Sequence, residues 1–264
     1  MSTIMYGPES EVYNTYSVVS PAPPAAVAGG AIAYRHRHPL GKQLVLDDMR
    51  KFRFGAAFTA TLVKGNVVSA SVSTGSQQSL APSTAAVVGD RSLLLTTGAS
   101  SAINVFAEGY AIATIFTANV AGSCYRIAGH ALMTSGAGDT VHLAPGHSVR
   151  EALTTATSKV DLIDNPFFAL VQVPATTAAN AIMGVAVSAP TSRQACWIQT
   201  RGMASVLGLT GTIAGTRATA PGGTAGTCIP ETAAGAEQLE TTIGISVHAH
   251  AATQGQVVFL TLDG

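Results

Sequence analysis

Charge is what this sequence has least of. Asp, Glu, Lys and Arg make up 11% of its 264 residues, less than half the roughly 25% usual in soluble domains. Lys+Arg and Asp+Glu both number 14. With no positive excess to neutralise phosphates, the sequence argues against a nucleic-acid partner. Aromatic residues are 6%, and tryptophan occurs once, at Trp197. The three cysteines, Cys124, Cys196 and Cys228, form no C-x-x-C pair and cannot all pair with one another. Free thiols in a reducing cytosol are the expectation. No stretch approaches the ~20 apolar residues of a membrane-spanning helix. The opening Met1-Ser2-Thr3-Ile4 lacks a basic segment followed by an apolar run, so neither a membrane partner nor a signal peptide is expected.

What is abundant points elsewhere. Hydrophobic residues are 47% and glycines number 27, and Ala, Thr, Ser and Val fill much of the remainder. That mixture suits short strands joined by tight turns. Long helices call for more Leu, Glu, Lys and Arg. A monomer with so little charge keeps a poorly solvated surface, so much of it is expected to be covered by other subunits.

Three regions are expected. Residues 1–50 read as an extended N-terminal arm with one short strand: they hold four of the six tyrosines, Tyr6, Tyr13, Tyr16 and Tyr34, the run Pro21-Ala22-Pro23-Pro24, and Gly29-Gly30. Prolines favour extended chain, and tyrosines are unusual in disordered tails. The arm is therefore expected to dock on a partner, with Tyr6, Tyr13, Tyr16, Tyr34, Arg35 and Arg37 as interface candidates.

Residues 51–190 read as a β domain. It opens on a hairpin in which Phe58, Ala60 and Leu62, then Val68, Ala70 and Val72, alternate with polar residues around Lys64-Gly65-Asn66. Further strands are expected at 110–116, 125–128, 140–143, 160–163 and 168–173. Ser148-Val149-Arg150-Glu151 matches a capping box, which predicts one or two helical turns. Residues 191–264 read as a small C-terminal barrel-like domain. A strand at 196–200 ends at Gly202, another covers 203–207, and a hairpin joins 243–249 to 257–262. The expected class is all-β, built of short-strand sandwich or small-barrel units.

No catalytic constellation emerges. His36 and His38 are two apart, as are His248 and His250, and such pairs share a strand face. His130, Asp139, His142 and His147 lie in one stretch. Without a nearby carboxylate for either pair, polar residues on half-exposed strands are the preferred reading, and no metal or cofactor is expected. Gly146-His147-Ser148-Val149-Arg150 begins like a nucleophile elbow, but arginine replaces the second glycine. Asp47-Asp48 sit in a charged run, and Asp161 and Asp164 flank a strand end. No phosphate-binding glycine loop is present.

Several segments resemble virion proteins that decorate or cement the capsids of tailed bacteriophages. They are YRHRHPLGKQLVLDDMRKFRF (34–54) leading into AAFTATLVKGNVVSA, then AEGYAIATIFTANVAGSCYRIAGH (107–130) continuing to DLIDNPFFALVQVP, and ACWIQTRGMASVLGLTGTIAGTRATA followed by TTIGISVHAHAATQGQVVFLTLDG. Where that family has an aromatic strand before a glycine, this chain has Trp197 and Gly202. The resemblance implies a non-enzymatic protein on the capsid surface, made in the host bacterial cytoplasm and bound to the major capsid protein. It implies a homo-oligomer without cofactor, a trimer before a dimer. Tail, baseplate and head-fibre proteins share the same pattern. A metal-dependent β-barrel enzyme or a virion glycan hydrolase is the alternative from another class.

Overall fold

The computed structural model describes residues 4–17, 37–57, 61–71, 75–115, 122–175, 180–209, 213–220, 223–231, 241–251 and 255–263. In chain order the strands are β1 (Ile4–Tyr6), β2 (Thr15–Ser17), β3 (Gln43–Val45), β4 (Lys51–Ala57), β5 (Val67–Ser69), β6 (Ser92–Thr96), β7 (Tyr110–Ile115), β8 (Cys124–His130), β9 (Gly138–Leu143), β10 (Lys159–Ile163), β11 (Val171–Gln172), β12 (Ile182–Ala186), β13 (Gln194–Leu207), β14 (Arg217–Ala220), β15 (Ile229–Pro230), β16 (Thr241–Ser246) and β17 (Gly255–Thr261). The only helical elements among the described residues are two single 3-10 turns, Glu9–Glu11 and Gly75–Gln77. The protein is all-β.

Two compact units divide the chain, but not at the boundaries that composition suggested. One draws on Met1–Val19, His36–Val72 and Pro166–Gly264, and the other on Ser73–Asn165. The expected cut between 190 and 191 falls between paired strands, since β12 bonds to β13 through Val185↔Gln199 and Ala186↔Ile198. The strands at each end of the chain thus belong to one sheet, and among the described residues no separate C-terminal barrel forms.

That sheet runs β1-β3-β4-β13-β17-β16-β14-β15, with β2, β5, β11 and β12 joined off the main path. Its spine is β13, a single strand of 14 residues where two were expected. Residues 194–201 pair with β4 and residues 201–207 with β17. The partner changes beside Gly202, whose φ of +86° lies in the left-handed region and whose position lets the strand pass a bulge without breaking.

Burial follows that change of partner. Around the first half of β13 both faces are covered. Ala195 and Trp197 pack with Phe52, Phe54, Ala56, Leu44 and Val12. Cys196 and Ile198 pack oppositely with Ala57, Leu62, Val68 and Leu170. Along the second half only one face is covered, by Ala204, Val206, Val258, Leu260, Ile243 and Ala218.

The arm is part of this core. Strand β1 pairs in parallel with β3, and β2 pairs with β13 through Ala195↔Tyr16. Val12, Leu40 and Leu44 are buried. An extended arm awaiting a partner is therefore corrected for residues 4–17 and 37–50. Its apolar residues are too widely spaced to show a period, yet Val12, Leu40, Leu44 and Leu46 all join the Phe52–Trp197 cluster. The Pro21–Pro24 run and Gly29-Gly30 lie outside the described residues.

Two local expectations also change. The Lys64-Gly65 turn exists, but the chain before it bonds to the 186–190 segment, through Leu62 N–H to Pro190 O and Gly65 N–H to Ala186 O. Strand β5 pairs with β11 and β12, while Phe58, Ala60 and Val72 of the expected hairpin lie outside the described residues. No helix follows Ser148. Val149 and Leu153 are both buried, and their N–H groups bond to Asp90 and Ala86, which holds the segment extended.

The second unit is an antiparallel sheet ordered β10-β7-β8-β9-β6. Leu93, Leu95, Ala111, Tyr125, Ile127, Val141, Leu143, Val160 and Leu162 alternate into its core. The segment from Leu80 to Ser83 meets β10 on one side and β6 on the other by isolated bridges. Neither unit is a closed barrel.

Candidate functional site

The second half of β13 and its neighbours β17, β16 and β14 carry an uncovered face. Cross-strand register sets Met203 opposite Phe259, Phe259 opposite Ile245, and Ile245 opposite Arg217. Directly opposed residues on an antiparallel sheet project to the same side. Met203, Phe259 and Ile245 are 45%, 39% and 46% exposed, whereas Ala204, Val258 and Leu260 between them are buried on the other face. Three large apolar side chains thus form one row across three strands. Scattered exposed apolar residues are ordinary, whereas these three are contiguous, which makes the row the candidate site.

Sequence reasoning missed this row, though a signal existed. In Gln256-Val257-Val258-Phe259-Leu260, both phases of the alternation are apolar. A strand of that kind expects cover on both faces.

Beside the row, a groove of about 470 Å³ is lined by Tyr13, Arg50, Lys64, Val187, Met203 and Ser205, among others. The Lys64 ammonium lies 5.5 Å from the centre of the Tyr13 ring, within cation–π range. Arg50 is neutralised. Its Nη2 donates to Glu9 Oε1 at 2.7 Å and its Nε to Asp48 Oδ2 at 2.6 Å. The Arg50 hydrogen bond holds the Glu9 carboxyl below its ordinary range, and Tyr13 Oη donates to Glu9 as well, at 3.2 Å.

The interface candidates named from the sequence separate accordingly. Tyr6, on the edge strand β1, is 77% exposed, and Tyr13 is half-exposed at the groove. Tyr16 is turned inward: its ring packs 5.9 Å from that of Phe54 and its Oη donates to Glu11 at 2.6 Å. Arg37 stacks its guanidinium 5.1 Å from the Tyr16 centroid. Tyr34 and Arg35 lie outside the described residues.

His38 completes a small network with Glu11 and Tyr16. Its Nε2 is 3.3 Å from Glu11 Oε1, and its ring meets Phe54 edge-on at 5.2 Å. Burial among these rings pushes its pKa down, against the upward pull of Glu11. Burial acts to raise the Glu11 carboxyl, but hydrogen bonds from Tyr16 and His38 keep it lowered.

The remaining histidines are not brought together. His130 is buried, with Nδ1 2.7 Å from Ala131 O and Nε2 accepting the Phe106 N–H at 3.1 Å, which fixes the Nδ1–H tautomer. His147 Nδ1 accepts from Arg126 N–H, and His250 Nε2 from Val257 N–H. The His248 and His250 rings are 6.3 Å apart. His36 is outside the described residues. Among the described residues no three His, Cys, Asp or Glu side chains converge as a metal site would require.

Asp139 is engaged by Thr97 and Thr134, and Asp161 by Ser79 and Thr114. Cys196 and Cys228 are buried, and burial pushes both thiols up to about 12; Cys124 is exposed, and all three are free. Buried thiols such as Cys196 and Cys228 are poor nucleophiles.

No family model matches this chain, and no curated protein or solved structure matches it.

Proposed function

We propose that this chain is a structural protein that works by assembling, with the capsid surface of a tailed bacteriophage as its setting. It decorates the shell as a homo-oligomer and binds the major capsid protein. The observation that carries the structural part of this reading is the Met203–Phe259–Ile245 row. An apolar row left open on a chain with 11% charged residues is a surface that gains by being covered. The capsid setting rests on the sequence resemblance alone. Tyr6 and Tyr13 are both exposed, and this reading assigns them to the contact with the shell.

Two measurements test the reading. Purified protein is incubated with capsid shells lacking it and sedimented, and native particles are labelled with antibody against it. Saturable binding to shells and label over the capsid are expected, with binding weakened by Tyr6→Ala and Tyr13→Ala. Label confined to tails or fibres transfers the protein to those structures. A monomer that binds no particle removes the structural reading altogether.

A further inference from the structure

His38 sits where residues 9–17 meet the core. Its side chain and that of Glu11 are only 14% and 16% exposed. The turn Glu9–Glu11 supplies the Glu11 carboxylate, whose Oε1 lies 3.3 Å from Nε2. Strand β2 sets the Tyr16 ring 6.3 Å away, β4 sets Phe54 at 5.2 Å, and β13 sets Trp197 at 5.4 Å. On its own stretch of chain, Arg37 and Lys42 bring positive charge. Among the described residues Glu11 is the only carboxylate paired with this ring. Glu11 also accepts the Tyr16 hydroxyl at 2.6 Å, and Glu9 accepts from Arg50 at 2.7 Å. These polar ties all run through ionised carboxylates. Beside them, the segment is held by the three residue pairs of β2 with β13 and by the buried Val12. So few apolar anchors mark a part of the fold that can open before the rest.

We infer that residues 9–17 form an acid-released strap: when His38 and Glu11 both carry a proton, the segment leaves the Phe54–Trp197 cluster and bares the β13 edge at residues 194–196. This device goes beyond the assembly reading and does not depend on it. One proton is not enough. An imidazolium at His38 still faces the Glu11 carboxylate, and opposite charges in contact hold the segment in place. Burial disfavours that cation while Glu11 favours it. The second proton goes to Glu11 and removes the anion. Arg37, His38 and Lys42 are then left with no carboxylate among them, in a site walled by Phe54 and Trp197. A partly buried cation that has lost its partner is strongly destabilising, and opening returns it to water.

The sign is the same for both groups. Burial pushes His38 below its ordinary value. Burial acts to raise Glu11, but the bonds from Tyr16 and His38 hold it below its ordinary 4.5. A group whose folded pKa is depressed takes up its proton more readily in the open form, so acid favours opening. The closed form begins to lose ground below about 6.5, where His38 titrates when solvated. It gives way as pH falls through the folded value of Glu11. The strand edge bared at Gln194, Ala195 and Cys196 is the one that β2 covers at neutral pH, and an uncovered edge is a template for pairing.

The test titrates the full chain from neutral to acid pH. Acrylamide quenching of Trp197, the only tryptophan, reads the cluster. Methyl NMR signals of Val12 read the strap, and those of Val160 read the second sheet. Below the ordinary glutamate value, quenching is expected to rise several-fold and Val12 to move to unfolded-chain positions. Val160 and the far-UV circular dichroism of the body are expected to stay native. Glu11→Gln imitates the second proton, so opening should come at least ~1 pH unit higher and coincide with the titration of His38. His38→Gln keeps a neutral donor toward Glu11 and should delay opening by at least ~1 pH unit. Val12 signals that stay native after both His38 and Glu11 have titrated overturn the strap. Val12 and Val160 lost together overturn it as well, because acid then unfolds the whole protein. Opening at one pH in the wild type and both variants removes the His38–Glu11 pair as its trigger and overturns the inference.

Discussion

Arg53 and Asp263 meet in a two-bond fork: Nε donates to Oδ2 at 2.8 Å and Nη2 to Oδ1 at 2.9 Å. The pair fastens the chain's last described residue to β4, more than 200 positions earlier. Thr200 Oγ1 donates to the same carboxylate at 3.3 Å. The Arg53 hydrogen bond, ahead of the opposing effect of burial, holds the Asp263 pKa below its ordinary value.

The first prediction follows from that fork. Asp263→Asn leaves a half-buried guanidinium with a poorer acceptor and should cost about 1–3 kcal/mol in urea unfolding at neutral pH. Because the folded-state pKa is depressed, the stabilisation is full above the unfolded value of about 4 and is lost as pH falls through the folded one. The wild type and the variant should therefore converge in stability in acid. A gap that stays constant with pH would refute the linkage.

Trp197 is fully buried against Phe54 at a ring distance of 5.0 Å. Trp197→Ala should cost about 3–5 kcal/mol through the cavity it leaves. Its Nε1–H makes no hydrogen bond within the described structure. Trp197→Phe therefore removes packing alone and should cost under about 2 kcal/mol. Equal losses for the two variants would show that the indole nitrogen has a partner.

Deleting residues 1–17 should destabilise the protein rather than trim a tail. Val12 is 1% exposed, and burial of one such side chain contributes about 1.5–3 kcal/mol. The pairing of β2 with β13 and the Tyr16–Glu11 bond go with it. Thermal unfolding followed by circular dichroism checks this, and an unchanged melting temperature would put the segment back outside the core.

His38 should titrate below the ordinary value of about 6.5 when followed by NMR. Glu11→Gln should lower its midpoint further, since the carboxylate is what opposes burial. The depressed folded pKa means that the contribution of neutral His38 is complete above about 6.5 and declines as pH falls through the folded value. A midpoint that rises in Glu11→Gln would show that the carboxylate does not face the ring.

Some of this was readable directly. The strands at 110–115, 124–130, 138–143 and 159–163 and the closing hairpin of β16 and β17 all follow from alternation, which reports the local backbone. The capping box at Ser148 misled because a local preference of a few tenths to about 2 kcal/mol competes with burial of Val149 and Leu153, and burial wins. Tyr16 and Tyr13 looked alike in the sequence. One is packed on Phe54 and the other lines a groove, a difference set by residues distant along the chain.

The sequence by itself determined the all-β class and the free cysteines, because residue type and period two act over a few positions. It also determined that the surface would be poorly charged, since composition survives any fold. Only the tertiary structure decided that β13 binds β4, β12 and β17, that the arm belongs to the core, and that Met203, Phe259 and Ile245 line up on an open face. Each of those outcomes depends on which of many similar strand edges pair. That choice is made by the summed packing and hydrogen bonding of segments far apart in sequence, which no single window of residues contains.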